Sequence, residues 1–91
     1  MFFELENRGL KMESLEFNVW QVEQTDDHAK MHVELYVDDG GCFIVEVFTR
    51  FEPGGEHSLT KRAFTNETAA RNYFDFVSVR TNKFITSLLG E

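Results

Sequence analysis

Cysteine and proline are almost missing from this 91-residue chain, which has one of each, Cys42 and Pro53. A lone cysteine excludes an intramolecular disulfide, the usual staple of a secreted domain this small. No apolar run approaches the roughly 20 residues that span a bilayer. The first six residues, Met1-Phe2-Phe3-Glu4-Leu5-Glu6, lack a basic stretch followed by an apolar core, which argues against a secretory leader. A cytoplasmic protein with no membrane partner is the expectation. Basic residues are scarce in the first half: residues 1–48 carry eleven acids against three bases, whereas residues 49–91 carry five against six. The net charge of −7 repels phosphate backbones and favours basic surfaces, so direct nucleic-acid binding is disfavoured.

Aromatic residues are plentiful, with ten Phe among thirteen rings and 42% apolar content overall. That is too rich for a disordered chain and sufficient for one thin core. Residues 1–14 give no clear period. Phe2, Phe3 and Leu5 fit either a short helix or an added strand, and Met12 is a second conceivable start. From Leu15 onward a single ββββα domain is readable to residue 91. Leu15, Phe17 and Val19 alternate with Glu16 and Asn18. Met31, Val33, Leu35 and Val37 alternate with His32, Glu34, Tyr36 and Asp38. Phe43, Val45 and Val47 alternate with Ile44, Glu46 and Phe48. Turn clusters at residues 24–27, 38–41 and 53–55 separate these runs, and a weaker fourth strand spans about residues 57–64.

Asn66 or Thr65 caps the helix that follows, with Glu67 in its first turn. Ala70, Tyr73, Phe74, Val77, Thr81, Phe84, Ile85 and Leu88 recur at three and four and form its inward stripe. The β-branched stretch from Val77 to Thr81 suggests a break near residues 80–82, and Gly90 suits the stop. Phe76 and Val79 fall off the stripe and are candidates for a dimer contact. The fold class expected is α+β, a four-stranded antiparallel β-meander with a C-terminal helix packed on one face.

Residues directly opposite in an antiparallel pair share a face, so register follows from parity. A three-residue loop at Asp39-Gly40-Gly41 pairs Val37 with Phe43, Leu35 with Val45 and Val33 with Val47. A two-residue loop would set Val33 against Glu46. The same reasoning pairs Phe17 with Leu35 and Val45 with Ala63. The face away from the helix then carries three rows: Trp20, His32, Phe48 and Thr60; Asn18, Glu34, Glu46 and Arg62; Glu16, Tyr36, Ile44 and Phe64.

Trp20, His32, Glu34, Tyr36, Glu46 and Phe48 on that face are the candidate partner-binding residues, large aromatics beside a polar rim being usual interface anchors. Glu34 facing Glu46 suggests an acid–base pair, but Arg62 beside Glu46 makes an ordinary salt bridge the stronger reading. His28 and His32 align as metal ligands only on a helix, so no metal and no cofactor are expected. Cys42 has no basic neighbour to activate it, and neither glycine pair precedes a helix that would bind phosphate. The expectation is a non-catalytic, inhibitor- or immunity-type module that masks a basic protein surface, for example on a nuclease. A homodimeric assembly subunit is the second expectation.

Four antiparallel strands followed by a helix resembles, in element order, the Whirly-type and related coactivator domains that bind single strands. That resemblance implies a dimer through the helix and nucleic-acid binding on a basic sheet surface. Here only Arg50, Lys61 and Arg62 are scattered over acidic faces, a departure from that pattern.

Overall fold

The computed structural model describes residues 11–23, 26–51 and 54–90. The candidate structure at Phe2, Phe3 and Leu5 lies outside those residues. Strands β1 (Lys11–Glu23), β2 (Asp26–Asp38), β3 (Phe43–Phe51) and β4 (Gly55–Phe64) form one antiparallel sheet in the order β1-β2-β3-β4, and helix α1 (Glu67–Leu88) packs on one face. This is the expected α+β meander with its C-terminal helix. Among the described residues no helix is long and apolar enough to cross a membrane.

The central pair has the register that hydropathy predicts. Val37 faces Phe43, Leu35 faces Val45 and Val33 faces Val47. The three-residue loop forms because Gly41 takes φ 83°, a backbone region in which a Cβ would clash. The Asp38 carboxylate holds the loop by accepting from the Gly40 and Cys42 amides, both at 2.9 Å. Val33, Leu35 and Val45 are fully buried and meet Ala70 and Phe74 of the helix. Burying each such side chain contributes about 1.5–3 kcal/mol.

The outer strands depart from parity. β1 begins at Lys11, ahead of the first readable alternation at Leu15, and three irregularities interrupt its pairing with β2. Phe17 therefore faces Glu34, and Val19 faces His32. On the other side one irregularity, beside Val47 and Phe48, sets Val45 against Arg62 and Ile44 against Ala63. Each bulge inserts an extra residue and shifts the alternation on its own strand.

Asn66 caps α1 by accepting the Ala69 amide at 2.9 Å. The helix runs unbroken through residues 80–82, because burial of Thr81 outweighs a propensity deficit of only a few tenths of a kcal/mol per residue. It ends where the amides of Leu89 and Gly90 return to the carbonyls of Ile85 and Ser87, with Gly90 at φ 84°. The inward stripe is shorter than its periodicity suggests. Ala70, Phe74, Thr81 and Ile85 are buried, whereas Phe84 and Leu88 are exposed. The helix covers the middle of the sheet and leaves β4 exposed from Gly55 to Ala63.

Candidate functional site

The face of the sheet opposite α1 follows from the pairings. One row is Val19, His32, Phe48 and Ser58; the next is Phe17, Glu34, Glu46 and Lys61; a third is Ser14, Tyr36, Ile44 and Ala63. The inner members are those expected, and every outer member differs by the slip on β1 or β4.

Trp20 is consequently not on this face. It pairs with Met31, packs against the core under the helix, and its indole Nε1 donates to Asn82 Oδ1 at 3.1 Å. The physical reason is area: the indole contributes more apolar surface to the helix side than Phe17 would, and its one polar atom finds a partner there. Val19 takes the vacated place opposite His32, and Phe17, in the next row opposite Glu34, sets its ring 5.3 Å from His32 and 6.5 Å from Phe48. Arg62 is likewise on the helix side, its guanidinium stacked over the rings of Tyr73 and Phe64 at 4.9 and 5.4 Å. It does not neutralise Glu46.

Glu34 and Glu46 do face each other, and each has a different partner. Lys11 donates from Nζ to Glu34 Oε2 at 3.0 Å and lies 5.9 Å from the centre of the Tyr36 ring. The Glu34 side chain is 5% exposed and that of Lys11 is 51% exposed, so a recessed carboxylate is met by an ammonium reaching in from the rim. The Tyr36 hydroxyl donates to Glu46 Oε1 at 3.1 Å. Burial, followed by the charge and hydrogen bond of Glu46, raises the Tyr36 phenol well above its usual range, and the hydroxyl stays a donor. Lys61 stands opposite Glu46 on β4. Arg50 is ion-paired with Glu56 at the end of the face. Glu34 and Glu56 are thus matched here by bases, and Glu46 by a phenol.

His32 is buried, with its ring stacked 4.8 Å from Phe48 at 4°. Neither ring nitrogen has a hydrogen-bond partner. Burial, with a lesser contribution from Arg50, lowers its pKa, because an imidazolium among rings loses its hydration.

Exposure on this face is uneven. His32, Glu34, Tyr36 and Phe48 are buried, whereas Phe17 is 46% exposed. Between them lies a recess of ≈ 250 Å³ bordered by Lys11, Phe17, Glu34, Tyr36, Glu46 and Phe48, with Arg50 and Glu56 at one side. It combines carboxylates, ring faces and one displaceable ammonium, a chemistry suited to cationic side chains. Phe17 and Lys11 are the members that sequence reasoning missed. Parity assigned Phe17 to the core, and Lys11 precedes the readable alternation.

The histidines do not converge. His57 faces Thr49 and stands on the helix side, opposite in sense to His32. Among the described residues no group of three His, Cys, Asp or Glu side chains is placed to hold a metal. Cys42 is a half-buried free thiol. Phe76 and Val79, on the outer surface of α1, are 55% and 56% exposed.

Comparison with family models, with curated proteins and with solved structures finds no match to this chain.

Proposed function

We propose that the chain is a non-catalytic protein-binding module of inhibitor or immunity type. It covers a basic surface of a nucleic-acid-handling partner in the cytoplasm and takes a lysine or arginine side chain of that partner into the recess on the sheet face. One observation carries this reading: Glu34, recessed among rings, is already satisfied by an ammonium from a half-exposed side chain at the rim. A partner's cation would replace Lys11 and meet the same carboxylate. A guanidinium would do so more favourably, since its planar fork can engage Glu34 and Glu46 together. Phe17 at the rim supplies apolar contact beside that cation. The net charge of −7 steers basic partners in and keeps nucleic acid away.

The test is calorimetry with an arginine-rich peptide, beside a salt-graded pull-down of basic nucleases. Binding should weaken steeply between about 50 and 300 mM salt, as screening of exposed charge requires. It should fall at least about tenfold in Glu34→Gln/Glu46→Gln, the loss of roughly 1.4 kcal/mol that one charge-assisted hydrogen bond supplies. Lys11→Met should tighten it, by removing the competing ammonium. Binding that ignores all three changes would end this reading.

A further inference from the structure

The outward surface of α1 carries a second feature, on the other side of the molecule from the recess and independent of it. Val79 and Phe76 are more than half exposed there. Asp75 and Lys83, also exposed, stand four residues before and four residues after Val79. Residues four apart lie on one ridge of a helix. Asp75, Val79 and Lys83 are therefore one row, with opposite charges about 6 Å along the axis on either side of a valine. Among the described residues neither Asp75 nor Lys83 makes an ion pair. The nearby Arg80 is turned onto the Phe76 ring, 5.4 Å from its centre.

A row of this kind is complementary to itself reversed. A two-fold axis through Val79 brings two copies of α1 together antiparallel. Each Asp75 then falls beside the other copy's Lys83, and the two Val79 side chains meet at the centre with Phe76 flanking them. At the usual 8–10 Å between helix axes, side chains of this length span the gap. Isologous contacts of this form are the commonest route to a homodimer. The alternative self-contact, β4 against β4, is opposed by its own residues. β4 carries Lys61 and Arg62 and an irregularity in its pairing with β3, both features that protect sheet edges. We propose that α1 is a homodimerisation surface whose two-fold axis passes through Val79, with reciprocal Asp75–Lys83 pairs. One helix face buries less than the roughly 1,200 Å² of a standard interface, so the dimer is a weak, reversible one.

Sedimentation equilibrium of the full chain between about 10 and 500 μM tests this. The wild type should show a monomer–dimer equilibrium that weakens with salt. Asp75→Lys and Lys83→Asp should each be monomeric across that range. An equimolar mixture of the two should dimerise again, because the mixed pair restores opposite charges at both contacts. The double reversal in one chain should also dimerise, and these recoveries show that the variants are folded. A wild type that stays monomeric at 500 μM would overturn the proposal. So would dimers that survive both single reversals, or a mixture that fails to recover. Loss of peptide binding at the recess with dimerisation intact, or the converse, separates the two proposals.

Discussion

Helix α1 has two flanks that meet the sheet in opposite ways. Toward β1 the contact is closed by polar pairs. Arg71 bonds Glu16 at 2.8 Å, Asn18 bonds Ser78 at 3.1 Å and the Trp20 indole bonds Asn82 at 3.1 Å. Toward β4 the contact is open. Leu59, Tyr73, Phe76, Val77 and Phe84 border a groove of ≈ 390 Å³, and Leu59 and Phe84 remain more than half exposed. The polar flank is bridged by side-chain pairs and the apolar flank is not. Hydrophobicity decides how much surface is worth burying, but where a helix lies on a sheet also depends on whether polar groups at its edge find partners. β1 offers such partners at every second residue.

The comparison can be broken most forcefully at Trp20. Trp20→Ala should destabilise the fold by about 2–3 kcal/mol, somewhat below the range for fully buried rings. Phe84→Ala on the open flank should lose less than about 1 kcal/mol. Urea denaturation of the two variants measures the difference, and equal losses would mean that the open flank is as closed as the other. The next effect is pH dependence on the far side of the sheet. The His32 pKa is depressed in the folded state. The unfolded chain therefore binds a proton more readily as pH falls through about 6.5, and stability is lost below that value. Its slope cannot exceed about 1.4 kcal/mol per pH unit. His32→Leu should flatten the profile between pH 7.5 and 5, and an unchanged slope would assign it to other groups.

Removing the helix cap, with Asn66→Ala, should lose about 1 kcal/mol, and the thermal midpoint reports it. The smallest effect sharpens the comparison itself. A double-mutant cycle on Asn18 and Ser78 should give a coupling of about 0.5–1 kcal/mol, the net value of one neutral hydrogen bond. A coupling of zero would leave the closed flank held by the Trp20–Asn82 and Arg71–Glu16 contacts.

Strand alternation on β2 and β3 is readable because both faces there obey one rule. Val33, Leu35 and Val45 must be dry, and their neighbours follow by parity. Asn66, Glu67 and Gly90 announce the helix ends by local chemistry. The outer strands resist the same reading. Leu15, Phe17 and Val19 look like a core row, and Glu16 and Asn18 look like its solvated partner. The helix supplies Arg71 and Ser78 to those polar side chains, and the assignment inverts. A signal existed in the polar spacing of Arg71, Ser78 and Asn82 beside the apolar stripe, which matches a strand that presents polar groups at every second residue. On the candidate face Glu34, Tyr36, Glu46, His32 and Phe48 were legible as neighbours, but their burial was not, and neither was Lys11 as the ion-pair partner of Glu34.

Local pattern by itself determined the element order, the central register, the three-residue loop and the helix cap, since each depends on residues near in sequence or on strict alternation. Tertiary structure alone decided the facing of β1 and β4, the placement of Trp20 and Arg62, and which apolar residues of α1 stay uncovered. A bulge reverses parity for a small local difference in energy, and only the side chains it brings together across the fold determine whether that reversal is favourable.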